Sequence, residues 1–436
     1  MKLKGAKQQT VFLTGINAAV RAIGLCMRVW LSRTLGSEII GIMELAQSIH
    51  MVAIAPLTSG LSAAISRLTA RSDQQDRTAA LLSGLWLSRL VSFFLIPGIW
   101  LASPAISRFL GDARVLPSLL FTAPCILILC CSASYNGFCY GIQRSELPAL
   151  SELIEQLGRF ALTFCFIKWT TRLTAPWLAA VPTAATMLAE ILGLVFIMRQ
   201  LPPLPAHEKV RHVYTKAVFN LMTPAALSRL VQTLLRSATA IVIPLRLQAS
   251  GLSAQEATAR LGLLNGMVGP MLMMPGIFTS ALNMVLIPKI ARAEEKPSEL
   301  GRLFKTGFCC TIPISLVCGM LIYLFAPLLG TVVYRQAELN ELFRKCALQA
   351  VLFPIIHLTG SALSALGLQQ RSMYISCVSA LVSLALTWNY AGNPALRLNG
   401  VIRAQYISQL FTTVSNIAVL CIWRKRQPVT TGDKCV

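Results

Sequence analysis

Arg21, Arg28, Arg89, Arg159, Arg229 and Arg236 stand inside stretches that are otherwise apolar enough to cross a lipid bilayer. Arg21 and Arg28 are seven residues apart, and so are Arg229 and Arg236. Seven residues turn a helix by about 700°, so each pair shares one face. Arg21 lies about eleven residues into its stretch, roughly 16 Å from the edge at 1.5 Å per residue. Arg229 is similarly deep. An arginine at the bilayer centre costs about 2.5–3.5 kcal/mol even on insertion scales. The chemistry this placement suits is capture of an anionic group in a hydrated cleft. The structural alternative is pairing with Glu44 or with backbone carbonyls. Arg28 and Arg236 lie nearer the far end of their stretches and can also snorkel to the interface. Arg33 reads as an interfacial anchor.

Intramembrane acids are few. Glu44 and Glu190 are the candidates to neutralise an arginine or to take a coupling ion. In SELIEQLGR (151–159), Glu152 and Glu155 favour a helix N-terminus and Glu155 pairs with Arg159 at i,i+4, so a structural role is expected there. His50 and His357 are single intramembrane histidines, expected to be hydrogen-bonded parts of the packing. No GxxxxGK[ST], HExxH or GxSxG motif occurs, and no cluster of metal ligands. The expectation is therefore no enzyme, no cofactor and no metal. The 13 cysteines include no CxxC and read as small apolar fillers.

The elements that must position these residues follow from composition. The chain is 55% hydrophobic and 13% charged, against roughly 25% charged in soluble domains. Runs of about 20 apolar residues, each enough for a transmembrane helix, recur near 10–33, 39–66, 79–101, 116–139, 151–171, 176–198, 217–246, 258–288, 303–326, 345–366, 372–390 and 400–423. The reading is an all-α polytopic membrane protein with about twelve spans and short loops. MKLKGAK is basic, but the apolar run after it is too long for a signal peptide and holds Arg21, so no cleaved leader is expected. The net charge of +22 is a topology signal rather than a nucleic-acid one. Lys and Arg concentrate in the N-terminal tail, the even-to-odd loops and the C-terminal end, which places both termini in the cytoplasm of a multi-pass cell-membrane protein. These basic loops also favour anionic lipid headgroups.

The chain repeats itself. IGIMELAQSIHMVAIAPLTSGLSAAISRLTAR (40–71) lies without a gap over LGLLNGMVGPMLMMPGIFTSALNMVLIPKIAR (261–292), pairing Gly41 with Gly262 and Arg71 with Arg292. Each copy holds six spans, so both run the same way through the membrane and should be related by a pseudo-two-fold axis along its normal. The expected organisation is an N-terminal six-helix bundle over 1–200, a cytoplasmic linker over 201–216, a second bundle over 217–424 and a tail over 425–436. On this scheme the two arginine pairs occupy equivalent places on opposite walls of a cleft.

IGLCMRVWLSRTLGSEIIGIMELAQSIHMV (23–52), TSGLSAAISRL (58–68), YNGFCYGIQRSELPALSELIEQLGR (135–159) and LNGMVGPMLMMPGIFTSALNMVLIPKIA (264–291) together resemble the multidrug/oligosaccharidyl-lipid/polysaccharide (MOP) exporter superfamily. The similarity is to its polysaccharide-biosynthesis branch, with the stage V sporulation protein B-like proteins and lipid II flippases. It covers nearly the whole chain. The resemblance implies alternating access between two bundles and export of an undecaprenyl-diphosphate-linked saccharide for peptidoglycan or polysaccharide, with no nucleic acid involved. The family's cavity arginines on the first span would correspond to Arg21 and Arg28. The flippases also place arginines on the second and eighth spans, where this chain has them only at the ends, as Arg67 and Arg292. Its deep cation in the second copy is Arg229. Two other readings stand beside this one: a cation-coupled multidrug exporter of the same fold, which calls for cavity acids, and a non-transporting membrane scaffold or membrane transferase.

Overall fold

The computed structural model describes residues 6–71, 74–169, 173–202, 214–293 and 297–426. Most of the expected linker (203–213) and the tail from 427 lie outside the described residues. The described chain is helical throughout. Its helices are α1 (Ala6–Arg71), α2 (Gln74–Phe109), α3 (Leu116–Gly141), α4 (Glu146–Trp169), α5 (Ala175–Gln200), α6 (Thr215–Ala249), α7 (Ala254–Leu261), α8 (Gly269–Leu272), α9 (Gly276–Arg292), α10 (Pro297–Leu324), α11 (Glu338–Cys346), α12 (Gln349–Ala365), α13 (Gln369–Ala391) and α14 (Arg397–Arg426). Eight helices are long and apolar enough to cross a membrane, and ten if each bent pair is one span. The count reaches the expected twelve because α1 is two spans joined at a break, and because α4, excluded by its charges, is as long as its neighbours. The chain is a multi-pass membrane protein.

The break in α1 is a single residue. Gly36 takes φ 80, ψ 172, a region open essentially to glycine alone. The expected loop over 34–38 is thereby reduced to one non-helical peptide between two long limbs. Gly36→Ala is expected to cost about 1–3 kcal/mol, read as a lower thermal midpoint of the purified protein in detergent.

Two compact units divide the chain. The first comprises residues 1–248 and 252–266. Its core joins Ile54, Leu61 and Ile65 of α1 to Leu87, Cys125, Ile126 and Cys130 of α2 and α3, and closes over Val218 and Met222 of α6. Ser237 of α6 donates to the Ser48 carbonyl at 2.8 Å. The second unit comprises 249–251 and 267–436. There Leu286, Ile290, Leu300, Leu358, Leu363 and Leu420 pack α9, α10, α12 and α14 together. Asn283 Nδ2 lies 3.0 Å from both His357 Nδ1 and Ser361 Oγ, so His357 sits in a polar tie between α9 and α12.

One end of the first unit is tied by charge. Arg114 donates from Nε to Asp112 Oδ1 at 2.9 Å and from Nη2 to Asp112 Oδ2 at 2.7 Å, and its Nη1 reaches Glu38 just beyond the α1 break. Gln255 and Thr258 of α7 donate to Glu38 Oε2 at 2.7 Å and Asp112 Oδ2 at 3.1 Å. Burial pushes the Asp112 carboxyl up, but the hydrogen bonds and charge of Arg114 and the Thr258 hydroxyl outweigh it and hold the group below the usual carboxylate range. A depressed carboxylate stabilises the fold above its ordinary value and loses that contribution as pH falls through its folded value. The thermal midpoint should therefore drop on strong acidification, and Asp112→Asn should lower it at neutral pH while flattening that drop. Arg114→Ala, which strands the buried Asp112, should cost about 1–3 kcal/mol at neutral pH.

At this end α1 and α7 approach as closely as backbones can. A Cβ at Gly41 would collide with the Thr258 carbonyl, and one at Gly262 would stand 2.6 Å from the Gly41 nitrogen. These are the two glycines that the internal repeat superposes. Beyond them, Gly262–Val268 forms a π-helical stretch, a wide turn frequent at functional sites.

Candidate functional site

A cavity of about 670 Å³ opens within the first unit, walled by both limbs of α1 and by α3, α4 and α5. Its wall is charged in an otherwise apolar bundle. Arg28, on the first limb, pairs with Glu44 on the second and points its Nη1 toward the Gly266 carbonyl at 3.4 Å. The break at Gly36 folds the two limbs of α1 so that residues 16 apart in sequence face each other. Across the cavity, Arg159 of α4 reaches Glu190 of α5 and Gln156, with separations of 3.5 and 3.4 Å. Glu155 accepts from Ser151 Oγ at 2.7 Å. Glu152, Asn136, Tyr140 and Gln47 complete the polar wall.

The crossing of α4 and α5 makes this possible. Gly193 of α5 has no side chain where the Glu155 carboxylate and the Ser151 hydroxyl lie; a Cβ there would meet Glu155 and stand 2.6 Å from Ser151 Oγ. The helices come together through that gap, and the carboxylate is pressed between them.

Of the residues singled out by sequence, the structure brings Arg28, Glu44 and Glu190 onto this cavity. Arg21, Arg229 and Arg236 are exposed and do not line it. None of these three guanidiniums has a hydrogen bond or ion pair among the described residues. Arg21 and Arg28 thus part company although they sit on one helix face: the lower turn of that face lies outside the cavity wall. His50 also lines the cavity, but its Nδ1 is buried and has no hydrogen-bond partner among the described residues, unlike the bonded role expected for it. The residues sequence reasoning passed over are Glu152, Glu155 and Arg159, expected to pair locally at a helix start. Their i, i+3, i+7 spacing on one face of a membrane span was the available signal. Counted with Glu44 and Glu190, the cavity wall carries four carboxylates against two guanidiniums.

Comparison with known proteins follows the same lines. The family model described as polysaccharide biosynthesis protein matches residues 6–294. Stage V sporulation protein B of Bacillus subtilis (strain 168) is 25% identical over 434 residues, spanning 94% of this chain and 82% of that protein. Among solved structures, the lipid II flippase MurJ in an inward closed conformation superposes with a TM-score of 0.76 at 15% identity, covering 94% of this chain and 87% of that one. An inward-facing multidrug resistance MATE family transporter of the MOP superfamily superposes with a TM-score of 0.71 at 17% identity, covering 95% and 98%. Those likenesses establish the fold. With the family model covering well over half its length, the chain belongs to the polysaccharide biosynthesis protein family and has the fold of MOP-superfamily transporters.

Proposed function

We propose that this protein is an alternating-access flippase that carries an undecaprenyl-diphosphate-linked saccharide, a peptidoglycan or polysaccharide precursor, from the inner to the outer leaflet. It is a transporter and not an enzyme, with both termini in the cytoplasm and the bundles over 1–200 and 217–424 as its moving parts. The observation that carries the reading is the set of exposed guanidiniums of Arg21, Arg229 and Arg236 on membrane-spanning helices, unpaired among the described residues, with Arg21 and Arg229 deep in theirs. At about 2.5–3.5 kcal/mol each in lipid, such groups belong beside water and an anion. A diphosphate presents several charged oxygens to the forked donors of arginine. Family membership supports a saccharide cargo, and the relatives' names, a sporulation protein and a lipid II flippase, point to the cell wall.

The four carboxylates of the cavity favour a second reading, a cation-coupled multidrug exporter of the same fold. One experiment separates the two. Purified protein is offered a fluorescent undecaprenyl-diphosphate saccharide and, separately, a lipophilic organic cation. Saturable binding of the lipid, competed by its unlabelled form but not by the cation, is expected. Binding of the cation with indifference to the lipid would put the exporter first.

A further inference from the structure

The wall of the first-unit cavity is rich in hydrogen-bond acceptors and poor in free donors. Its two guanidiniums are engaged, Arg28 by Glu44 and Arg159 by Glu190 and Gln156. Glu152 and Glu155, three residues apart on one face of α4, line the cavity without an ion-pair partner among the described residues. Three further side-chain atoms on the wall are buried and unbonded among the described residues: His50 Nδ1, Ser132 Oγ and Asn136 Oδ1. Each can accept a hydrogen bond. Ser132 is only 4% exposed, so bulk water does not serve its hydroxyl. Against these acceptors stands one buried, unbonded donor, Arg159 Nε. Buried polar atoms ordinarily have partners. The complement of this wall is a ligand rich in donors and positively charged.

The space is too large for an inorganic ion. Its volume of about 670 Å³ lies within the roughly 300–1,000 Å³ of small-molecule sites, against roughly 30 Å³ for one water. It also has the wrong chemistry for a diphosphate, which offers only acceptors and would face surplus carboxylates. Arg21 stands outside the cavity, seven residues from Arg28, or about 10 Å along α1.

We propose that the cavity receives the saccharide of the cargo and selects one that carries a protonated amine, held by Glu155 and Glu152, while the diphosphate stays at Arg21. This deepens the flippase reading above and rests on it. An ammonium brings three N–H donors and one positive charge, and hydrogen bonds from an ionised donor to a carboxylate are the strong ones. Its charge meets the half-buried Glu155, while Glu152 is exposed and keeps its contact with solvent. The sugar hydroxyls around the amine supply donors for Ser132 and Asn136. The acids of the cavity thereby have a use in a flippase. What separates this use from capture of any organic cation is the row of unbonded acceptors, which charge alone does not satisfy.

The test uses the full-length protein in nanodiscs of neutral lipid. Two undecaprenyl-diphosphate monosaccharides are compared, one carrying 6-amino-6-deoxyglucose and one carrying glucose, which has a hydroxyl in place of the amine. At neutral pH the wild type is expected to bind the amine lipid about 10- to 100-fold more tightly, the effect of one charge-assisted hydrogen bond. That ratio should fall toward one in Glu155→Gln. It should fall part-way in Glu152→Gln, whose exposed side chain can be changed without disturbing the packing. Equal binding of the two lipids by the wild type, or a ratio unchanged in both variants, overturns the proposal and leaves the flippase reading standing. Tetraphenylphosphonium, a cation without hydrogen-bond donors, should not displace the amine lipid; displacement would overturn the proposal as well. If neither lipid binds, the flippase reading falls, and the cavity is read instead with the soluble methyl glycosides of the same two sugars. A preference for the amine glycoside that disappears in Glu155→Gln then keeps the amine site, and no preference removes it.

Discussion

Arg21→Ala combined with Arg229→Ala is expected to remove diphosphate-lipid binding and to abolish flipping in reconstituted vesicles, while leaving expression and thermal midpoint close to wild type. The two guanidiniums make no internal hydrogen bond or ion pair among the described residues, so the folded protein loses little when they go. A charge-assisted hydrogen bond is worth about 1.5–3 kcal/mol. Two of them lost from a complex amount to about 3–6 kcal/mol, or roughly two to four orders of magnitude in Kd. Arg28→Ala should behave differently. It leaves the Glu44 carboxylate without its partner, so a drop in stability is expected along with any change in transport. Normal flipping by the Arg21→Ala, Arg229→Ala variant would mean that those arginines take no part in holding the cargo.

Gly41→Ala is expected to have the largest effect of any single methyl added to this chain. Its new carbon would stand 1.9 Å from the Thr258 carbonyl oxygen, and neither partner is a flexible side-chain end that can swing away. The start of the second α1 limb and the α7 segment must separate, and Glu38 and Asp112 would be drawn from Gln255 and Thr258 as they do. Overpacking of this kind costs about 1–3 kcal/mol. Hydrogen exchange over 37–44 and 258–266 should rise selectively, with α3 and α5 unchanged. Gly98→Ala is the matched control: it lies within α2, has nothing within 4 Å of its added carbon, and should be neutral or mildly stabilising. Equal exchange in the two variants would show that the α1–α7 contact is not closed in solution.

The spans were legible because a run of about 20 apolar residues has few other fates. Their ends were less so. The chain between 33 and 39 reads as a loop, yet its polar residues continue the helix and only Gly36 departs from it; no period in the sequence separates one non-helical residue from five. The helix Glu338–Cys346 was passed over because its charged face interrupts the apolar run, although it precedes Gln349–Ala365 in a pair bent by 43°. Arg28 and Glu44 were both visible as intramembrane charges, and their meeting needed only the fold of one helix on itself. Glu190 and Arg159 lie 31 residues apart on different helices, and which turn of α4 faces which turn of α5 depends on the Gly193 gap. That is tertiary packing, which local spacing does not encode. The same holds for Arg21, whose helix face is readable but whose neighbours are not.

Gly41 and Gly262, the pair superposed by the internal sequence repeat, stand against each other. The two glycines hold the same place in the two copies of the repeat, and here each touches the other. A residue meets its own counterpart only on a two-fold axis, as in the isologous interface of a symmetric dimer. If the copies descend from one gene, the ancestral half-length protein would have dimerised through this glycine, and any side chain acquired there would have been met by itself. Glycine, which stands at both positions here, is the one residue type for which that collision does not arise.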